Sequence, residues 1–227
     1  MGSADLTALG LSLRLALTTT LLLLLTCVPL AWWLAQSRSR WRAIIDAAAA
    51  LPLVLPPTVL GFYLLLLLSP RGMLGPVWRA LGLPAPAFTF TGLVIGSMLY
   101  SLPFAVQPLR DAFAASGRRA LEVAATLRAA PIDRFFTVAL PLARRGVLTA
   151  AVLSFAHTLG EFGVVLMIGG NIPGRTQTAS IALFDHAEAL EYGAALRLSL
   201  TLLAVSFLLL LIVYGTQRGA RTPQARP

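Results

Sequence analysis

The chain has 227 residues, of which 57% are hydrophobic and only 12% charged, whereas soluble domains run nearer a quarter charged. A chain this apolar cannot hide its side chains in one aqueous core, so lipid must solvate part of it. The net charge is +9 and every basic residue is Arg, but the arginines lie between apolar runs, which argues for membrane topology rather than nucleic acid. Cys27 is the single cysteine, which excludes an internal disulfide, and the isolated His157 and His186 offer no metal cluster.

A helix that crosses the hydrocarbon core needs about 20 mainly apolar residues. Five stretches qualify: 11–34, 43–68, 88–113, 146–168 and 194–214. The first is expected to be an uncleaved helix, because Arg38, Arg40 and Arg42 follow it and only Arg14 precedes its apolar run. Arginine placement then orients the chain. Arg38, Arg40 and Arg42, the group Arg118, Arg119, Arg128, Arg134, Arg144 and Arg145, and the tail Arg218, Arg221 and Arg226 fall on one side. The other side holds Arg71, Arg79 and Arg175. The excess of arginine on the cytoplasmic side predicts five spans with the N-terminus outside and the C-terminus inside. The expected fold class is an all-α polytopic membrane protein, with residues 1–227 as one transmembrane domain.

Pro52, Pro56 and Pro57 interrupt the second stretch, and Pro103 and Pro108 the third. Each removes a backbone donor and kinks a helix, and freed carbonyls inside a membrane need protein or a wet cavity. The outer loop 68–87 is rich in Gly and Pro and is expected to lack long regular structure. In the second outer loop, Pro173 and Gly174 suit the centre of a type II turn. After it, 180–192 is expected to form a short surface helix with Ile181, Phe184 and Leu190 on its apolar side.

The connection 116–145 is long and charged, yet its apolar residues follow helical spacing at Leu121, Ala124, Ala125 and Leu127. Pro131 and Asp133 suit a second helix start. Phe135, Phe136, Val138 and Ala139 continue that helix, which Pro141 is expected to limit. A slack tether has no need of two phenylalanines and an ordered helix pair; a docking element does.

Here the chain resembles a known family. The cytoplasmic motif of ABC importer permeases reads Glu-Ala-Ala, three residues, Gly, nine residues, Ile, any residue, Leu-Pro. This chain has Glu122, Val123 and Ala124, then Arg128 at the glycine position, then Val138, Ala139, Leu140 and Pro141, with the spacing met throughout. The stretch 51–63 with its three prolines and Gly61 resembles the second helix of molybdate importer permeases. So do 101–104 around Pro103, 159–163 around Glu161, and 170–178 from Gly170 to Thr178.

The resemblance implies a type I ABC importer permease with cytoplasmic coupling helices in the bacterial inner membrane. It implies two copies around one pathway, two cytoplasmic ATPase subunits, a periplasmic oxyanion-binding protein, and molybdate as cargo, with sulfate or tungstate as alternatives. The coupling residues would be Glu122, Ala124, Arg128, Pro131, Leu140 and Pro141. No phosphate-cradling GxxxxGK[ST] loop occurs, so the chain is expected to be no enzyme, to hold no cofactor, and to leave ATP to a partner. Pathway or gate candidates are Thr58, Ser97, Ser154 and Glu161. An intramembrane acid is a functional candidate; Glu161, placed near the outer end of the fourth span, is read as a hydrogen-bonded brace or as an interfacial acid reaching water. His157, four residues earlier, is positioned to pair with it. Rival readings are an ion-gradient transporter, which needs no docking loop, an intramembrane enzyme built on Ser154 and His157, and a purely structural subunit.

Overall fold

The computed structural model describes residues 2–37, 39–115 and 118–218. Arg38, Arg221 and Arg226 of the topology argument lie outside the described residues, as do Ser116 and Gly117 of the cytoplasmic connection.

The first helix, α1, runs Ser3–Gln36. Its start is fixed by Asp5, whose carboxylate accepts the Gly2 N–H at 2.8 Å, satisfying an otherwise orphaned donor. One stripe of α1 is packed, with Leu15, Leu23 and Leu34 fully buried, while Leu21 and Leu25 face outward toward lipid. Helix α5, Phe90–Ala115, runs unbroken through Pro103 and Pro108. Helices α1, α5 and α8 (Leu140–Leu159) form the central bundle. Helix α11, Tyr192–Arg218, carries the longest apolar stretch near the C-terminus, and only 6% of that stretch is buried.

Two of the expected spans are not continuous helices. Residues 41–68 form α2, Trp41–Ala50, a 3₁₀ turn, Leu51–Leu53, and α3, Pro57–Leu68. The two halves are bent by 110° across residues 54–56. Pro57 has no N–H and its ring disfavours helical backbone at Pro56, which is extended at ψ 135, so the ladder stops and restarts with proline in the first turn, where no donor is missed. The two halves still join opposite ends of the bundle. Asp46 of α2 meets Arg110 near the end of α5 at 3.1 Å, whereas Leu68 accepts from Ala87 just before α5 begins.

The fourth span, expected over 146–168, ends as a helix at Leu159 and resumes as α9, Gly163–Gly169. Gly160, Glu161 and Phe162 make the break. Glu161 is therefore not in the outer end of a helix. It lies in the break, at the depth of the middle of α5, because His157 and Thr158 contact Ser101. Phe88 donates to Ile168 at 2.9 Å, so α9 completes the crossing to the face where α5 begins.

The loops on that face are short and pinned. Helix α4, Gly75–Ala80, is the one regular element described between α3 and α5. Arg175 N–H donates to Ile172 O at 3.1 Å and Gly174 has φ +70, which is the expected type II turn. Helix α10 spans Ala179–Glu188. Ile181 is buried in it and Phe184 stacks on Phe162 at 5.0 Å. Leu190 departs from its expected apolar side: it sits in a turn with φ +60 and is 70% exposed.

Candidate functional site

The connection 116–145 folds as expected in its first half. Helix α6 spans Arg118–Thr126. It closes on Arg128, which takes φ +58. Arg128 N–H donates to Ala125 O at 3.0 Å, and Ala129 N–H to Ala124 O at 3.2 Å. These two bonds define a Schellman cap, whose left-handed residue is usually glycine. Arg128 thus occupies the glycine position of the motif and adopts the glycine conformation.

The second half differs from expectation. Helix α7, Pro131–Arg134, passes into a π-turn over Phe135–Ala139 and then directly into α8. Pro141 does not limit a helix; it is the second residue of α8. A proline ring clashes with the carbonyl four residues back and cannot donate to it. The wider π-turn, in which Leu140 N–H donates to Phe135 O, makes room for that ring. The outcome is one rod from Pro131 to Leu159, 29 residues long, or about 43 Å at a rise of 1.5 Å per residue.

The two phenylalanines divide their work. Phe135 packs against Trp32 of α1 at 5.7 Å and Phe113 of α5 at 6.2 Å. Phe136 points away and is 59% exposed. Val123, Leu127 and Ile132 are exposed with it, as are Glu122 and Pro131. An apolar patch outside the lipid-facing spans calls for a protein partner. Of the remaining coupling candidates, Ala124 and Leu140 are half-buried and Pro141 exposed.

The other end of the rod meets a cleft of about 540 Å³. It opens where the two interrupted spans touch, and is lined by Pro57, Thr58, Tyr100, His157, Glu161 and Phe162, among others. Gly163 is pressed on Pro57, where a Cβ would lie 2.8 Å from the proline Cβ, and Gly61 is pressed on Met167 at 2.7 Å. Small residues let α3 and α9 approach this closely. Thr58 and Glu161 are thus brought together as candidates. Ser97 and Ser154 are fully buried, and neither hydroxyl has a hydrogen-bond partner. Ser97 is close to the Glu161 carboxylate, yet neither Glu161 oxygen has a hydrogen-bond partner, and Glu161 is 4% exposed. Glu161 is therefore not an acid reaching water, and Ser97 is the polar side chain beside it.

His157 does not pair with Glu161. Its Nδ1 lies 2.8 Å from Ser101 Oγ, and its ring stacks on Phe104 at 4.0 Å. That also removes the Ser154–His157 pair as a catalytic dyad. Sequence reading missed Tyr100 as a cleft-lining residue and Ser101 as the buried partner of His157. The signal was available: Ser101 precedes Pro103 in a polar interruption of an apolar span.

A membrane bundle with two interrupted spans around a cleft, and a helical rod carrying an exposed apolar face beyond the bilayer, is the architecture of a transport permease. Residues 27–221 match the family of binding-protein-dependent transport system inner membrane components, and the chain belongs to that family. It is 58% identical over 214 residues to the molybdenum transport system permease protein ModB of Azotobacter vinelandii, covering 94% of this chain and 95% of that one. It is 33% identical over 191 residues to the sulfate transport system permease protein CysT of Synechocystis, covering 84% and 66%. In fold it is similar to a bacterial alginate ABC transporter solved in complex with an alginate-bound periplasmic protein, at TM-score 0.76 and 16% identity over 98% of this chain and 81% of that one. The chain is the multi-pass, membrane-spanning permease subunit of an ABC importer of the inner membrane.

Proposed function

We propose that this subunit forms the pathway of a molybdate importer, as one permease domain that works in pairs. Its 58% identity to a molybdenum permease, against 33% to a sulfate one, favours molybdate over sulfate. Two copies would enclose the pathway, with the N-terminus outside and the C-terminus in the cytoplasm. A periplasmic binding protein would deliver the anion to the outer loops. Two cytoplasmic ATPase subunits would bind ATP and supply the work, this chain needing no cofactor of its own.

The carrying observation is the continuous rod from Pro131 to Leu159. One end bears exposed Ile132 and Phe136, beside the exposed Leu127 and Glu122 of the segment that precedes it; the other ends at the cleft. ATPase closure would press on the patch, and the stiff rod would carry the displacement to the break at Gly160–Phe162, rearranging α9 against α3. Arg128 would hold the corner between the coupling helices. Ala124, Leu140 and Pro141 would seat them on the rod, and Phe135 would tie them to α1 and α5. Thr58 would face the pathway, Glu161 would back it, and Ser97 and Ser154 would let α5 and α8 pack closely beside it.

Reconstitution tests this reading. Vesicles carrying this subunit with its ATPase and binding protein should take up molybdate in an ATP-dependent manner, and sulfate more slowly. Uptake driven by an ion gradient without ATP, or sulfate preferred over molybdate and tungstate, would overturn it.

A further inference from the structure

The cleft holds a hydrogen-bond chain that fixes how His157 meets it. Ser101 Oγ lies 2.8 Å from His157 Nδ1 and 2.9 Å from Thr158 Oγ1. Two hydroxyl hydrogens are available. If Thr158 donates to Ser101 and Ser101 donates to Nδ1, both are used. Wherever Nδ1 instead donates to Ser101, one buried hydroxyl hydrogen, that of Thr158 or that of Ser101, has no acceptor in this chain of bonds. Unmade bonds of buried groups are costly, so Nδ1 accepts, and the ring proton sits on Nε2. Phe104, stacked at 4.0 Å and 26°, and Tyr100, at 4.8 Å, hold the ring plane.

The cleft wall therefore offers donors and no fixed positive charge. His157, Thr58 and Tyr100 line it, and no arginine does. Glu161 belongs to the same wall, but both its oxygens are buried, so hydroxyl and imidazole N–H groups are what a guest meets. An anion strengthens each such bond, while the absence of an ion pair keeps release fast. The geometry points to His157 Nε2–H, with the Thr58 and Tyr100 hydroxyls, as a transit site for a tetrahedral oxyanion in mid-membrane, His157 being held in its donor tautomer by Ser101 and Thr158. This rests on the import reading above and names the residues that carry the anion.

The test uses the whole transporter in vesicles, with molybdate as the probe. His157→Phe keeps a flat ring on Phe104 and removes the donor; His157→Gln removes the ring and restores an N–H. Losing one hydrogen bond to an anion should lower molybdate uptake by about tenfold in His157→Phe, with ATP hydrolysis still stimulated by the binding protein. His157→Gln should recover a substantial part of that loss. Ser101 is a positioning residue: Ser101→Ala should lower uptake, and Ser101→Thr, which keeps the hydroxyl, should restore it. Wild-type-like uptake in His157→Phe or in Ser101→Ala would overturn the site. So would a His157→Gln variant as poor as His157→Phe, since packing would then explain both. Failure of the unmodified complex to carry any of molybdate, tungstate and sulfate is a different result, and sinks the import reading itself.

Discussion

Gly163, the first residue after the break in the fourth span, lies directly on Pro57, the first residue after the break in the second, with 2.8 Å between the proline Cβ and the position a Gly163 Cβ would take. The two interruptions are thus one structural feature. Gly163→Val should push α3 and α9 apart and cost about 1–3 kcal/mol, the usual range for overpacking. Its thermal midpoint in detergent should fall, and uptake should fall with it. Gly193, where an added Cβ would approach only the end of the Arg197 side chain, at 3.8 Å, serves as the control: Gly193→Ala should leave both unchanged.

Arg128 stands in a left-handed conformation that costs a residue with a Cβ roughly 1 kcal/mol. Arg128→Gly should therefore leave stability unchanged or raise it by up to about 1 kcal/mol, and keep the coupling of ATP hydrolysis to transport. Arg128→Val, β-branched, should lower the melting temperature. A strongly destabilised glycine variant would mean that the Arg128 side chain, not the backbone, holds the corner.

Phe135 and Phe136 are adjacent and should fail differently. Phe135→Ala removes the ring between Trp32 and Phe113 and should cost about 3 kcal/mol of stability. Phe136→Ala touches an exposed ring and should leave melting unchanged while uncoupling ATP hydrolysis from substrate delivery. Glu122→Arg and Leu140→Arg should likewise abolish substrate-stimulated hydrolysis while the chain still inserts.

Beside the start of α1, His186 lies between two carboxylates: Nε2 is 2.8 Å from Asp5 Oδ1 and Nδ1 2.8 Å from Glu191 Oε2. Carboxylates only accept, so both bonds require the imidazolium. The bond to Asp5, then that to Glu191, raises the His186 pKa above its ordinary 6.5. A raised folded-state value means that the stabilisation is complete below the unfolded value and fades as pH climbs through the folded one. The melting temperature should therefore decline as pH is raised from about 6 to about 9, and His186→Gln should flatten that decline. An unchanged slope in the variant would remove His186 as its cause.

Much of this was legible in the residues. Apolar run lengths marked five crossings, and Pro52, Pro56 and Pro57 marked the first break. Helical spacing at Leu121, Ala124, Ala125 and Leu127 marked α6, and the resemblance of Glu122 through Pro141 to the permease motif marked the proposed docking element. The second break was not legible, because Gly160–Phe162 interrupts an apolar run without a proline, and hydropathy does not register a three-residue gap. The run-on of α7 into α8 was hidden for the opposite reason: Pro141 signals a helix limit locally, and only the π-turn before it lets the rod continue. His157 was assigned by its i, i+4 spacing to Glu161, whereas its partner, Ser101, is 56 residues away in sequence and no local pattern points to it.

The account turns on the exposed end of the rod being gripped by an ATPase. Leu127, in the turn that leads into that end, is 78% exposed and the native Cys27 is 1% exposed, so Leu127→Cys introduces a reactive thiol with little interference from the native one. In membranes carrying the assembled transporter, a short thiol cross-linker at that position should join this subunit to the ATP-binding subunit. Cross-linking to the periplasmic binding protein, or to no ATP-binding subunit at all, would contradict it.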